Sequence, residues 1–309
     1  MPVSSAGQQL ASILSPAFRK ESFRVDRKRP FTFICGGDNN DGTLALRHQF
    51  LDHLHQRTLE ILPVLAEKAF PHQLVERNLQ RFEEFLASAA DCVLIFVESP
   101  GSFAETGLFA ALPKVIKKTF VVNTRGDPSR ETSFLTLGPI KLIRKRSWFD
   151  EVFYLDHDEV TSKDAREIVE TILKTLPRYE KALVFHPKPK FTDLDLRLQL
   201  ASVQMIVSLL RAATAERVTS VLRGLRFHAV DVDSIEMLLS LLMSINALKR
   251  QDDLYFTERT GVVDTFEDDP LIHSAEFSVH EVRAQAYEWS TKHDSQVVVH
   301  LRERLGIGE

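Results

Sequence analysis

The chain has 309 residues, of which 44% are hydrophobic and 27% charged, which allows one large core or two smaller ones. Its net charge of −4 excludes a strong overall attraction to nucleic acid or to an anionic membrane. Neither an apolar run of membrane-spanning length nor a signal-peptide pattern occurs, so we expect a cytoplasmic protein with no membrane partner.

The cysteines and histidines indicate neither a disulfide framework nor a metal site. Cys35 and Cys92 both fall within predicted strands, which favours buried thiols in a reducing compartment. The eleven histidines are scattered, and none has the spacing of metal ligands, so we expect no metal.

Residues 1–30 form a polar segment that ends in a basic patch. This composition predicts a solvated, partly ordered arm, and its alternative is a contact to a phosphate backbone or a partner subunit.

An α/β pattern begins at Phe31. A strand over residues 31–35 meets Gly36 and Gly37, and helices are predicted at about 44–66, with Pro63 ending or kinking the first, and at about 75–89. The glycine pair fits either a backbone nest for a phosphate or a tight turn. The polar run after it, with Asp38 and Asp41, fits either hydrogen bonds to sugar hydroxyls or Asx-turns.

The run over residues 91–111 is the most informative part of the sequence. It predicts a buried strand at Cys92–Val97, a tight turn at Ser99–Gly101 and the start of a helix. Ser102 and Glu105 have the spacing of a capping box. Glu105 therefore closes the cap, acts on a ligand, or does both, since a carboxylate in a first helical turn is held ionised. An ionised carboxylate beside a sugar can attack the anomeric carbon or stabilise an oxocarbenium-like centre.

Further strands are predicted at residues 119–123, 140–143 and 152–155, and a helix at 162–176. The alternation of strands and helices predicts an α/β fold with a doubly wound parallel sheet over residues 31–185. The crossover rule then places the loops at Gly36-Gly37 and Ser99–Gly101 on one edge of the sheet, where ligands bind in such folds.

A mainly helical domain is predicted over residues 191–309, after a proline-punctuated linker at His186–Lys190. Helices at about 196–210, 215–222 and 232–248, followed by a strand at 254–257, give the outline of a winged helix. Acidic residues outnumber basic ones beyond Arg178, which favours docking onto a ribonucleoprotein or a partner chain over reading of DNA sequence. Candidate nucleic-acid or partner contacts, otherwise solvated surface, are Lys141, Arg144, Lys145, Arg146, Lys249 and Arg250.

Two segments resemble the nucleoside 2-deoxyribosyltransferase family. The run Ala104-Glu105-Thr106-Gly107-Leu108-Phe109-Ala110 is similar to the nucleophile motif of that family, which places Glu105 at the nucleophile position and leaves Glu98 as the competing carboxylate. The strand and loop Phe31-Thr32-Phe33-Ile34-Cys35-Gly36-Gly37-Asp38 resemble the family's first nucleotide-binding element. The aromatic and apolar pair that usually follows that strand is absent here.

A deoxyribosyltransferase-like domain joined to a winged-helix-like domain resembles the effector proteins of bacterial retron anti-phage systems. The resemblance implies an N-glycosidase toxin that a reverse transcriptase and its branched RNA–DNA product (msDNA) hold inactive. Some members are similar to NAD hydrolases, so NAD would be a substrate and no separate cofactor is expected. A homo-oligomer or a higher-order assembly is expected as well.

These considerations give a set of candidate site residues and two alternative functions. Glu105 is the candidate catalytic residue, and the candidate substrate contacts are Gly36, Gly37, Asp38, Asp41, Glu98, Ser99, Gly101 and Ser102. The alternatives are a base-salvage nucleoside deoxyribosyltransferase and a nucleotide-sensing regulator that binds DNA.

Overall fold

A computed structural model describes residues 5–38, 45–55, 60–69, 79–124, 132–177, 181–257, 269, 271–294 and 296–300. The strands, in chain order, are β1 (Phe23–Val25), β2 (Phe31–Cys35), β3 (Leu62–Val64), β4 (Cys92–Phe96), β5 (Thr119–Thr124), β6 (Phe153–Leu155), β7 (Leu183–Val184), β8 (Ala212–Ala213), β9 (Lys249–Gln251), β10 (Leu254–Phe256) and β11 (Ile272–Ala275).

The α-helices are α1 (Ser5–Leu14), α2 (Leu46–His55), α3 (Ala66–Ala69), α4 (Leu79–Ala89), α5 (Pro100–Ala111), α6 (Lys141–Arg146), α7 (Ser162–Thr175), α8 (Leu196–Leu210), α9 (Ala215–Gly224), α10 (Val232–Ser244) and α11 (Val279–His293). Short 3-10 helices span Ser15–Phe18, Ile116–Lys118 and Phe191–Asp193, and a π-helix spans Thr136–Ile140. Among these described segments, none is both long and apolar enough to cross a membrane.

The chain divides into two compact units. The sheet unit is Lys28–Tyr179, and the helical unit combines Met1–Arg27 with Glu180–Glu309. The boundaries of these units differ from the predicted domains, which were 1–30, 31–185 and 191–309.

The sheet unit is built on five parallel strands in the order β3-β2-β4-β5-β6, which agrees with the predicted α/β class. The chain places β3 on one side of β2 and then crosses to put β4 on the other side. The direction of winding therefore reverses between β2 and β4. In sheets of this kind the crevice at that switch point is the usual place for a ligand.

Helices cover both faces of this sheet, which explains why β2 and β4 are buried at every position. On one face Ile34 and Phe96 pack in a core with residues of α2 and α7, and the Phe96 and Phe50 rings lie 5.4 Å apart. On the other face the Phe33 ring packs edge to face with Phe109 of α5, at 6.2 Å. The side chains of β2 alternate between these faces, so Cys35 points to the same side as Phe33.

Two predicted elements of the sheet unit are wrong. The helix expected over residues 44–66 ends at His55, and Leu62–Val64 is a strand. Pro63 is tolerated there because β3 is an edge strand. The strand expected over residues 140–143 is helical. Ile140 and Ile143 are both buried, and a spacing of three places them on one side of a helix.

Residues 5–27, predicted as part of a solvated arm, are instead packed into the helical unit. β1 pairs antiparallel with β11 and β7, and α1 packs against α9 and α11. The arm prediction is wrong, since Leu10, Leu14 and Phe23 are fully buried. The polar residues around these apolar positions gave the segment the composition of a solvated arm.

The rest of the helical unit contains the three predicted helices as α8, α9 and α10. The hairpin of β9 and β10 follows them, and β8, between α8 and α9, completes a three-stranded antiparallel sheet in the order β8-β10-β9. The sequence did not indicate the two-residue strand β8.

We predict that Gly224→Ala destabilises the protein. A methyl group at Gly224 would lie 2.6 Å from Cβ of Ala11 and 3.0 Å from the carbonyl oxygen of Gly7, both on α1. Overpacking of this kind costs about 1–3 kcal/mol, although helix propensity favours alanine over glycine. Urea denaturation of the two proteins measures the difference.

A double-mutant cycle provides the control. In an Ala11→Gly background one of the two colliding groups is absent, so Gly224→Ala should cost less. An equal cost in both backgrounds would contradict the packing of α1 against α9.

Candidate active site

The Glu98 carboxylate joins the loops that follow β2 and β4. Its Oε1 accepts hydrogen bonds from the backbone N–H groups of Gly37, at 2.8 Å, and Arg47, at 3.2 Å, and its Oε2 accepts one from Leu46, at 2.6 Å. Leu46 and Arg47 open α2, where backbone N–H groups have no partner within the helix. Glu98 therefore caps α2 and fixes it to the carboxyl edge of the sheet.

The first turn of α5 is capped by Ser99 and Ser102. The Ser99 hydroxyl accepts from the Ser102 N–H at 3.2 Å, and the Ser102 hydroxyl accepts from the Ser99 N–H at 3.0 Å. Pro100 is the first helical residue, a position that needs no N–H donor. The predicted turn at Ser99–Gly101 is therefore already the beginning of the helix, and the predicted pairing of Ser102 with Glu105 as a capping box is wrong.

Glu105 is consequently free of any capping role. It lies in the second turn of α5, beyond the first turn in which a helix N-terminus stabilises a carboxylate. Its Oε2 is buried and has no hydrogen-bond partner among the residues that the structure describes, while the Cys35 thiol hydrogen bonds to the carboxyl group. A buried, unpaired carboxyl oxygen carries a large desolvation cost unless a ligand or a proton satisfies it.

The environment of Glu105 raises its pKa to about 7. Burial is the main cause, and the nearby Glu83 and Glu67 carboxylates add to it. The Arg47 guanidinium and the Cys35 hydrogen bond act in the opposite direction. The expectation that the helix end holds Glu105 ionised is thus wrong, because burial outweighs the favourable interactions.

Arg47 of α2 connects the acidic groups of the site. Its guanidinium is paired with Asp38, at 2.7 Å, and with Glu67, at 3.1 Å, although its side chain is only 7% exposed. Its Nε is buried and has no hydrogen-bond partner within the described part of the chain. Arg47 is therefore a fixed positive charge among carboxylates, and it favours the ionised form of Glu105.

Glu83 of α4 is a second carboxyl group near Glu105. Burial raises its pKa as well, and its charge opposes ionisation of Glu105. Pairs of carboxyl groups with perturbed pKa values are typical of catalytic sites.

The glycine pair after β2 is required by close packing. A Cβ at Gly36 would lie 2.7 Å from Cβ of Arg47 and 2.8 Å from Glu98 Oε1, and one at Gly37 would lie 3.2 Å from Cγ of Glu98. Only glycine leaves room for these side chains. The Gly37 N–H is engaged by Glu98, so it is not free to bind a phosphate in this arrangement.

The other predicted substrate contacts lie at the same edge of the sheet, with different accessibility. Asp38 is exposed and paired with Arg47, Gly101 is exposed and Ser99 half-buried. Ser102 is fully buried, and its hydroxyl serves the cap of α5, so the structure contradicts its assignment to the substrate. Asp41 lies outside the described residues.

The predicted nucleic-acid or partner contacts fall on both units. The four on α6 are exposed, and within the described part of the chain they form no ion pair: Lys141, Arg144, Lys145 and Arg146. On β9, Lys249 is exposed, whereas Arg250 is paired with Asp253 at 3.1 Å and lies over the Tyr255 ring.

Four residues of the site were missed by the sequence analysis. Cys35 could have been found from the alternation along β2, and Arg47 from its position as a cation in the first turn of a helix, which opposes the helix dipole. No signal in the sequence indicates Glu67 or Glu83, because a glutamate in a helix is ordinary. Within the described ranges no group of His, Cys, Asp and Glu side chains is arranged to hold a metal ion.

Two curated proteins from Escherichia coli are similar to the chain. A protein named as a candidate ribosyltransferase and DNA-binding protein of retron Ec73 is 32% identical over 127 residues, which is 38% of this chain and 39% of that protein. A protein named in the same way for retron Ec86 is 28% identical over 141 residues, or 45% of each chain. The alignments thus span less than half the length of each relative.

The fold and site define an α/β protein with buried carboxyl groups at the switch point of its parallel sheet. Residues 43–250 match the family of the STM3845 retron effector protein. This match covers more than half of the sequence, and the chain belongs to that retron effector family.

We predict that Glu98→Gln destabilises the sheet unit. The glutamine side chain has one acceptor oxygen and a donor amide, so at least one of the three N–H groups loses its acceptor. The expected loss is about 1–3 kcal/mol in the free energy of unfolding, measured by urea denaturation.

Glu84→Gln is the matched control, since Glu84 on α4 makes an exposed hydrogen bond with Gln80. It should change stability by less than about 0.5 kcal/mol. Equal effects of the two substitutions would contradict the role assigned to Glu98.

We also predict that Glu105→Gln stabilises the protein at neutral and alkaline pH. A carboxyl pKa raised from 4.5 to about 7 means that the folded protein binds the proton more tightly than the unfolded chain does. The stability from Glu105 is therefore complete below pH 4.5 and is lost as the pH rises to about 7. Above that pH the variant should be more stable by on the order of 2–3 kcal/mol.

Denaturation of both proteins at pH 4 and pH 8, values chosen on either side of the transition, measures this difference. An advantage of the variant that does not change with pH would contradict the raised pKa.

Proposed function

We propose that this protein is an N-glycosidase effector of a retron anti-phage system and that it hydrolyses the nicotinamide–ribose bond of NAD. The observation that supports this most is Glu105 at the carboxyl edge of the sheet, whose carboxyl group has a buried oxygen without a partner among the described residues. A ligand that presents a centre of positive charge would satisfy that oxygen.

The reaction requires stabilisation of positive charge more than it requires an acid. The nicotinamide ring of NAD is cationic and takes the electron pair of the C1′–N bond when it leaves. Glu105 would attack C1′ to form a glycosyl ester, which water then cleaves at C1′ with release of the carboxylate, or it would stabilise the oxocarbenium-like centre that water attacks. In both cases the oxygen of water bonds to C1′ and water gives up a proton. The neighbouring carboxyl groups of Glu83 and Glu67 would favour the cationic ring and the cationic transition state.

The remaining predicted substrate residues retain roles within this proposal. Asp38 and Ser99 would hydrogen bond to the ribose hydroxyls, and Gly101 offers backbone at the N-terminal end of α5, where phosphates bind favourably. Gly36, Gly37 and Glu98 would hold the two loops of the site together by close packing.

Membership of the retron effector family supports a proposal about regulation. We propose that a reverse transcriptase and its branched RNA–DNA product hold the effector inactive, that the effector forms a homo-oligomer, and that α8, β8, α9, α10, β9 and β10 form a winged helix. The order of these elements and the DNA-binding part of the relatives' names support the last proposal. The exposed cations of α6 are candidate contacts to the nucleic acid.

We predict that Glu105→Gln lowers the rate of nicotinamide release from NAD by roughly 10³-fold. Purified protein is incubated with NAD, and nicotinamide is followed by chromatography. The matched control is Glu167→Gln, an exposed residue of α7 that is ion-paired with Lys163, and this control should keep full activity.

A fully active Glu105→Gln variant would refute the proposed role of Glu105. Exchange of bases between deoxynucleosides without consumption of NAD would favour the salvage transferase. Binding of a nucleotide without turnover, together with binding of duplex DNA, would favour the sensing regulator.

We predict that kcat/KM for NAD rises with pH to a plateau, with a midpoint near the Glu105 pKa of about 7, because only the ionised carboxylate reacts. Arg47→Gln should move the midpoint to higher pH, since the guanidinium lowers the pKa of Glu105. Arg47→Lys retains the charge and should move it less. A midpoint that is the same in all three proteins would contradict the electrostatic role of Arg47.

A further inference from the structure

A pocket of about 450 Å³ in the helical unit is lined by three cations that come from separate parts of the chain. Arg19 follows the 3-10 helix at Ser15–Phe18, Lys188 lies between two prolines, and Arg226 follows the end of α9. All three are exposed, and they make no ion pair within the described part of the chain. None of the described residues that line the pocket is acidic, so its charge is uniformly positive.

The wall of the pocket is apolar. Pro187 and Pro189 are its exposed part. The rings of Phe18 and Phe227 also line it but are largely buried, at 7% and 5% exposed, and they pack edge to face with centroids 6.5 Å apart. Phe227 also packs against Phe191, with the ring centroids 5.5 Å apart. The pocket therefore combines cations with an apolar surface made mainly by prolines, whereas a site for a small inorganic anion needs only the cations.

The backbone around the pocket is held in place by hydrogen bonds. The His228 N–H donates to the carbonyl of Pro189 at 2.8 Å, and the Phe191 N–H donates to the carbonyl of His228 at 3.0 Å. These bonds join the segment that carries Lys188 to the segment that carries Arg226. The ring contact between Phe18 and Phe227 connects the segment that carries Arg19 to the segment that carries Arg226. Direct contacts therefore join the three segments that carry the cations.

Arg226 occupies a backbone conformation that favours glycine. Its φ is +68°, directly after the C-terminal end of α9, where glycine is the usual residue. An arginine at this position retains a conformational cost that glycine would remove. A function of the side chain would explain its presence.

From this geometry we propose that the pocket binds a single-stranded nucleic acid. One or more phosphodiester groups bind to Arg19, Lys188 and Arg226, and an unpaired base lies against the apolar wall. Single-stranded nucleic acid offers phosphate charge together with a flat apolar ring, and proteins recognise it with cations and a surface against which bases can stack. Polyglutamate offers the charge alone. The site is distinct from Glu105 and does not depend on the glycosidase proposal.

The test uses the full-length protein and a fluorescein-labelled oligodeoxythymidine, which remains single-stranded because it does not pair with itself. Fluorescence anisotropy gives the dissociation constant at several salt concentrations. In the triple variant Arg19→Gln, Lys188→Gln, Arg226→Gln, the slope of log K against log salt should become less steep by about 2, since each phosphate contact contributes roughly 0.7. Lys292→Gln is the control, because Lys292 is exposed and paired with Glu288, and the slope should not change in this variant.

A second variant separates binding from folding. Arg226→Gly removes one charge and also relieves the backbone at that position, so it should weaken oligonucleotide binding while the Tm stays equal or rises. Weaker binding combined with a lower Tm would indicate a structural role for Arg226 and would contradict its assignment to the ligand.

Three other results would overturn the proposal. They are failure of the natural protein to bind the oligonucleotide, unchanged affinity and salt slope in the triple variant, and competition by polyglutamate or inorganic phosphate as effective as that by unlabelled oligonucleotide. The last result would identify a general anion site. None of these measurements uses NAD, so a negative result would overturn the nucleic-acid site without affecting the glycosidase proposal.

Discussion

The three hydrogen bonds that the Glu98 carboxylate accepts from Gly37, Leu46 and Arg47 determine the geometry of the candidate site. They place the N-terminal end of α2 over the carboxyl edge of the sheet, at the point where the winding reverses. The position of the Arg47 side chain follows from this attachment, and so do its ion pairs with Asp38 and Glu67. The negative charge of Glu98 thus stabilises the arrangement of the loops and the helix that form the site.

Opposing electrostatic effects act on Glu105. Burial and the neighbouring carboxylates favour its protonated form, whereas Arg47 and the Cys35 thiol favour the ionised form. Their sum places the pKa at about 7, so small changes in the surroundings of Glu105 alter its charge at neutral pH. Functional sites characteristically contain a group that destabilises the fold when it is charged and whose charge a ligand can stabilise.

The helical unit shows how the fold collects charges that are separated in the sequence. Arg19 and Arg226 are more than two hundred residues apart, yet they line one pocket because α1 and the 3-10 helix after it pack into the same core as α9. The exposed cations of α6 are a different case, since neighbouring positions in the sequence suffice to place them on one helix. The structure therefore offers two basic surfaces of different origin, one on each unit.

Local patterns in the sequence determined the α/β class, the buried strands β2 and β4, the helices α7 and α8, and the position of Glu105 after a strand of the sheet. These features depend on hydrophobic periodicity and on turn residues, which act over a few positions. Tertiary structure alone decided that Leu62–Val64 forms an edge strand and that residues 5–27 pack into the helical unit. It also decided the pKa of Glu105, because burial and the charges of Glu83 and Arg47 come from segments that only the folded chain brings together.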